Sequence, residues 1–396
     1  MASKRYRKKD QLTGIVCDLP VSFRYVSTVI LNFLLILLAG LSCRKDTTII
    51  PSEKEKVPQL TTGFYLLNEG SMGRNNATLD YYDVQTSVYH SNIYAETNPS
   101  VVKQLGDVGN DLKIHGSKLY AVMNCSNLVE VMNVADAKHI AKFDVLNGRY
   151  ITFHDDKAYV SSYAGPVQLG DKRLGVVLEF DTVNFRETRR VTVGYQPEEM
   201  AIVNGKLYVA NSGGYTATDY DRTVSVVDLA TFKEIKKIDV DVNLHRVKAD
   251  DDGDIYVNSR GDHYGQGSKL HVIDTKTDVV KKTIDVSVSN FCIVGDTVYM
   301  YGSDFDHTMG KTTIAYSLLN VKNQTILPGS FITDGTDTVV ERPYGIAVDP
   351  VSRDVYITDA RNYTVSGKLY CFDRQGKMKL SHTTGYIPAH IAFVTK

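Results

Sequence analysis

Along residues 61–396, short runs of apolar residues four to six long alternate with turns, and no stretch carries the 3.6-residue period of an amphipathic helix. One phrase recurs seven times: an apolar strand that ends in or just past a tyrosine, at Tyr65, Tyr120, Tyr159, Tyr208, Tyr256, Tyr299 and Tyr356. A second strand follows each of these and ends in a short acceptor side chain: Asp83, Asn133, Asp181, Asp228, Asp274 and Asp373. The sixth unit has Leu318 at the corresponding place, which predicts an irregular blade there. Repeats of roughly 40 to 50 residues built only from strands and turns predict an all-β fold, a seven-bladed β-propeller with four strands, A to D, in each blade.

Turn chemistry sets the order of the strands. Asn204-Gly205, Gly116-Ser117, Asp155-Asp156, Gly295-Asp296, the acidic run 250–254 and Pro350-Val351-Ser352-Arg353 all separate apolar runs as tight A-to-B hairpins would. The last residues, Pro388-Ala389-His390-Ile391-Ala392-Phe393-Val394, repeat the pattern of strand A, whereas the unit that begins near residue 61 lacks one. The C-terminal strand is therefore expected in the first blade, closing the ring and hiding two sheet edges.

The first 60 residues are of another kind. Six basic residues precede an apolar run over 26–41 that ends in Ala39-Gly40-Leu41 and is followed at once by Ser42-Cys43. A 16-residue run containing Asn32 is short for a membrane-spanning helix, which needs roughly 20 apolar residues. The expectation is an export signal over 1–42, lipidation at Cys43 and a polar tether over 43–60, although Gly40 stands where a lipobox usually has leucine. Without residues 1–42 the chain has 39 basic and 44 acidic residues, a formal net charge of −5, which argues against nucleic acid as a partner. Cys125, Cys292 and Cys371 remain, an odd number at positions expected within strands, and read as free thiols.

Long B-to-C connections over 68–77, 162–174, 211–222, 258–267 and 302–311 place the functional apparatus on one face. The residue just before each strand A is expected to face the mouth of the central channel: His390, Asp111, Tyr150, Glu199, Arg246, Asn290 and Tyr344. Residues just after strand B add a second shell, of which Asn68, Tyr163, Asn211, Arg260 and Asp359 complete the candidate ligand-binding set. Phenol, amide and guanidinium groups around an apolar floor suit a large ligand that is both hydrophobic and polar. No metal site and no cofactor is expected: 250–254 reads as a turn, Asp304, Asp306 and His307 as a loop, and no nucleophile elbow, paired-histidine or phosphate-loop motif occurs.

Lys206-Leu207-Tyr208-Val209-Ala210-Asn211 followed by Val224-Ser225-Val226-Val227-Asp228-Leu229-Ala230-Thr231 resembles the YncE-like, surface-layer-type seven-bladed propellers, over residues 61–396. Phe64-Tyr65-Leu66-Leu67-Asn68-Glu69-Gly70-Ser71 behind a lipoprotein signal is similar to BtuG-type surface lipoproteins. That resemblance implies a non-catalytic protein, lipid-anchored at the outer membrane and facing the cell surface. It would capture a corrinoid such as cobalamin (vitamin B12) and pass it to a TonB-dependent transporter. Two alternatives stay open: a metal-dependent lactonase-like or lyase-like propeller enzyme using Asp111 and Glu199, and a surface module for glycan or protein.

Overall fold

Seven apolar clusters, each shared by two neighbouring blades, make the core in a computed structural model that describes residues 60–101, 105–262, 264–306 and 311–396. The export signal, the lipidation site Cys43 and all of the tether but Leu60 lie outside the described residues. Wedge-shaped cores explain why strand B is apolar on both faces. In Lys206–Asn211, Tyr208 and Ala210 pack toward the fifth blade while Leu207 and Val209 pack toward the third.

The chain forms seven antiparallel four-stranded sheets. Blade 1 is completed by Pro388–Thr395 as its strand A, paired along Thr61–Asn68 with Phe64 opposite Phe393 and Leu66 opposite Ile391. Phe64, Leu66 and Tyr82 then meet Tyr356, Leu369 and Cys371 of blade 7, so the C-terminus closes the ring as expected. Strands A of blades 2 to 7 are Gly109–His115, Gly148–His154, Pro197–Val203, Leu244–Ala249, Asn290–Val294 and Pro343–Val348. Among the described residues no helix is long and apolar enough to cross a membrane.

Three of the recurrent tyrosines act as inter-blade clamps, whereas the Tyr120 hydroxyl is buried without a hydrogen-bond partner among the described residues. Tyr65 donates to the carbonyl of Val134 (2.9 Å), Tyr256 to that of Val321 (3.4 Å) and Tyr208 to Asp278 Oδ1 (2.6 Å), each acceptor lying on the C-to-D turn of the next blade. A short acceptor at the end of strand C ties that turn: Asp228 Oδ1 accepts the N–H of Thr231, and Asp181 Oδ1 those of Val183 and Asn184. Blade 6 obeys the same rule, against expectation. Its strand C runs over Lys311–Asn320, and Asn320, not Leu318, ends it and accepts from the N–H of Asn323. The two-residue turn Asn204-Gly205 has φ of 50° and 73°, the left-handed pair that a tight hairpin requires.

Tyr208 is the clamp with a charged acceptor, because Asp278 also pairs with Lys206 at 2.7 Å. Tyr208→Phe is expected to lower stability by about 1.5 kcal/mol. The shift of the denaturant midpoint measures it, and an unchanged midpoint would leave the tyrosine as packing alone.

Two expectations need correction. The stretch 302–311 is largely strand rather than loop, since strand B of blade 6 runs over Thr297–Asp306 and strand C starts at Lys311. Cys125 follows strand B of blade 2, Lys118–Met123, rather than lying within it, and like Cys292 and Cys371 it is a free thiol.

Candidate functional site

Strand A enters the ring through a β-bulge in six of the seven blades. In blades 3, 4 and 5 the register slips between Gly148 and Ile151, Pro197 and Met200, and Leu244 and Val247, so two residues of strand A oppose one of strand B. Side chains of strand B satisfy the displaced N–H groups: Ser161 Oγ accepts from Tyr150 (3.1 Å), Asn258 Oδ1 from Arg246 (2.7 Å) and Thr358 Oγ1 from Gly345 (2.7 Å). The bulge breaks the alternation of a regular strand. Arg149 and Tyr150, and likewise His245 and Arg246, both line the mouth although they are neighbours in sequence.

The mouth is a cavity of about 1140 Å³. Tyr150 forms its floor: the ring belongs to blade 3, its hydroxyl meets His245 Nε2 of blade 5 at 3.0 Å, and His390 of blade 1 stands edge-on with ring centroids 6.5 Å apart. Arg246 covers the same ring, with Cζ 5.0 Å from its centroid. Burial pushes the Tyr150 hydroxyl well above its ordinary range against the pull of Arg246 and Arg149, with Glu198 and Glu199 adding to the rise, so it stays protonated. Amides from Asn110, Asn124 and Asn290 and the rings of Tyr215, Tyr264, Tyr301 and Tyr344 make the walls.

Of the twelve candidate ligand-binding residues, the structure brings Tyr150, Arg246, Arg260, Asn290 and Tyr344 into the wall. Asn290 also donates to the carbonyl of Tyr344 (3.1 Å), and Tyr344 donates to Glu69 Oε2 (2.8 Å). Two more lie one layer behind. Tyr163 donates to Glu198 Oε1 (2.6 Å) under the guanidinium of Arg149, and His390 sits 3.7 Å from both Glu69 and Asp111.

The other five have polar atoms engaged within the protein, Asn68 through its amide nitrogen alone. Asp111 Oδ2 accepts the N–H of Ile151 in the next blade (3.0 Å) and Oδ1 that of Leu112 (2.9 Å). Glu199 accepts the N–H of Val247 (3.0 Å) and pairs with Lys248. Asn68 holds Thr78 and Asp80, Asn211 holds Thr223 and Ser225, and Asp359 accepts the N–H groups of Glu341, Arg342 and Arg361. They stitch strand B to its neighbours and do not line the mouth.

Residues of the site that escape a reading by strict alternation include Asn110, Arg149, Glu198 and His245, each one position before a candidate, and Arg342. Glu198 is 1% exposed and accepts both Nε and Nη2 of Arg149 (3.1 and 3.0 Å). Burial, followed by the charges of Arg260, Arg246 and Arg149, holds His245 well below the ordinary histidine range and so neutral. The signal available in sequence was the pairing of two polar residues at the head of strand A, at 149–150, 198–199 and 245–246, where one would suffice.

Among the described residues no three His, Cys, Asp or Glu side chains converge where they could hold a metal ion. The acidic run 250–254 is a turn, in which Asp250 Oδ1 accepts the N–H groups of Asp252 and Asp254.

Solved structures share the architecture at low identity. A hydrazine synthase of Kuenenia stuttgartiensis matches with a TM-score of 0.57 at 14% identity, covering 72% of this chain and 89% of that one. The periplasmic gluconolactonase of Pseudomonas aeruginosa matches with a TM-score of 0.56 at 13% identity, over 84% and 99%. A quinoprotein alcohol dehydrogenase-like protein of Bacteroides thetaiotaomicron gives 0.55 at 16% identity, over 84% and 78%. What these proteins share with this chain is the propeller fold. Comparison with curated proteins gave no match. The repeat, the closure and the seven blades fall within one family model matching residues 62–394, and the chain belongs to that family, described as domain of unknown function DUF5074.

Proposed function

We propose that this propeller is a binding protein without catalytic chemistry, whose mouth captures a corrinoid such as cobalamin. The observation that carries the reading is the size and lining of the cup. Its volume of about 1140 Å³ exceeds the roughly 300–1,000 Å³ usual for small-ligand sites, and an aromatic floor is rimmed by amides. A corrin ring is broad and flat with amide side chains at its edge, so it presents the complementary surface: a face for the rings of Tyr215, Tyr264 and Tyr344 and a hydrogen-bonding group for the amide oxygen of Asn110. Preorganisation supports capture, because Tyr150, Tyr344 and Asn290 are already hydrogen-bonded in place and lose little freedom on binding.

The metal-enzyme reading relied on Asp111 and Glu199. Both are engaged by backbone N–H groups of the neighbouring strand A, which leaves the binding reading better supported. Lipidation at Cys43 would hold the cup at the outer membrane beside a TonB-dependent transporter that receives the cargo.

Calorimetric titration of the full-length protein with cyanocobalamin tests the reading. Saturable one-to-one binding is expected, weakened about tenfold or more, ~1.4 kcal/mol, by Tyr344→Ala. Absence of heat at high protein concentration would remove the corrinoid and turn the search to glycans and partner proteins.

A further inference from the structure

The floor of the cup carries more positive charge than its neighbours neutralise. Arg149, Arg246 and Arg260 all line it, and one carboxylate serves two of them: Glu198 lies 3.0 Å from Arg149 and 3.8 Å from Arg260. Arg246 is 8% exposed, and among the described residues no carboxylate stands within 4 Å of its guanidinium. Its Nε is buried without an acceptor, and so is that of Arg260. Glu199 and Asp111 act on Arg246 only at longer range, with their oxygens held by the N–H groups of Val247 and Ile151.

A buried guanidinium without a counter-charge is costly, and Arg246 is fixed in that position by the hydrogen bond from its own N–H to Asn258 and by the ring of Tyr150. The neutrality of His245 has the same origin, since the three arginines rank directly after burial in suppressing its charge. Arg260 Nη2 donates to Asn243 Oδ1 (3.1 Å), whereas the Nη atoms of Arg246 have no acceptor among the described residues, and guanidinium forks that face a cavity match oxyanions, which accept two parallel hydrogen bonds.

We propose that the ligand of this cup bears an anionic group, a phosphate or a carboxylate, that seats against Arg246 and Arg260 on the Tyr150 floor. The seat rests on the reading of the cup as a capture site but does not require the ligand to be a corrinoid.

The test uses full-length protein and three probes: cyanocobalamin, whose nucleotide arm contains a phosphodiester; dicyanocobinamide, which has the corrin without that arm; and inorganic pyrophosphate. Wild-type protein is expected to bind cyanocobalamin at least tenfold more tightly than the cobinamide. Arg246→Gln should abolish that preference, weakening cyanocobalamin at least tenfold more than it weakens the cobinamide. Pyrophosphate should raise the unfolding temperature of the wild type and not of Arg246→Gln. Arg246→Gln gives up its pull on Glu199 and its contact with the Tyr150 ring, so its unfolding temperature is expected to fall by a few degrees, and saturable cobinamide binding retained by the folded variant separates lost recognition from lost folding. Equal affinity for the two corrinoids, or equal weakening of both by Arg246→Gln, would overturn the seat and leave corrinoid capture standing. Failure of both corrinoids together with Arg246-dependent protection by pyrophosphate would support the seat and remove the corrinoid. Absence of both effects would overturn the seat.

Discussion

Replacing Glu198 by alanine is expected to lower the free energy of unfolding by about 3–5 kcal/mol, the usual effect of removing one partner from a buried ion pair. The carboxylate is 1% exposed, accepts hydrogen bonds from three residues of two blades and faces an arginine of a third. Arg149 of blade 3 donates twice, Tyr163 donates at 2.6 Å, Ser212 at 3.4 Å, and Arg260 of blade 5 lies 3.8 Å away. Without it, Arg149 is left as a mostly buried charge with only the rings of Tyr150 and Tyr163 beside it, at 6.0 and 4.9 Å. Glu198→Gln keeps the volume and one acceptor and should cost less than half as much. Combining Glu198→Ala with Arg149→Met should recover most of the loss, because the stranded charge goes with its partner. Denaturant unfolding of the four proteins measures this. A loss under about 1 kcal/mol for Glu198→Ala would mean that water enters behind the floor and screens the arginines.

The fold was legible because its signals are local. A tyrosine on strand B can reach the next blade's C-to-D turn only if every blade repeats the same geometry, so Tyr65, Tyr208 and Tyr256 recur at matching positions. Closure was legible because Pro388–Thr395 repeats the strand A pattern and blade 1 had none. The site was legible only in outline. Tyr150, Arg246, Asn290 and Tyr344 were placed by counting one residue per blade, yet in blades 3, 4 and 5 a bulge puts two there, and Arg149, Glu198 and His245 are the residues that counting omits. Nor could sequence separate Arg246, which has no carboxylate partner, from Glu199, which has Lys248; both are polar residues at the same step of the repeat. Asn68, Asn211 and Asp359 read as candidate ligand contacts, but their amides and carboxylates hold strand B to neighbouring backbone and side chains. Such engagement depends on contacts between residues distant in sequence. The misjudged end of strand C in blade 6, Leu318 for Asn320, arose because strands B and C there are each ten residues long and shift the pattern by two.

Acid should unfold this propeller partly through Glu199. Burial opposes its ionisation, but Lys248, Arg246 and Lys113 around it prevail and bring its carboxyl down from 4.5 to about 2. A carboxyl whose folded value lies below its unfolded value contributes stability that is complete above the unfolded value and disappears as pH falls through the folded one. The window is therefore pH 4.5 down to about 2, and the contribution lost across it is about 3 kcal/mol. The partners do not gain alike. Burial lowers the ammonium of Lys248, with Lys113 and Arg246 adding to the effect against the pull of Glu199, so the pair as a whole contributes less at neutral pH than the carboxyl alone would indicate. The acid limb, in contrast, belongs to the carboxyl, since lysine and arginine stay charged throughout it. Glu199→Gln should be less stable than the wild type at pH 6 and should converge with it near pH 2. Unfolding free energies from denaturant titrations at pH 6, 4, 3 and 2 would show that convergence. Parallel curves for the two proteins would place the acid sensitivity elsewhere and leave the Val247 N–H, rather than the cation cluster, as what Glu199 is for.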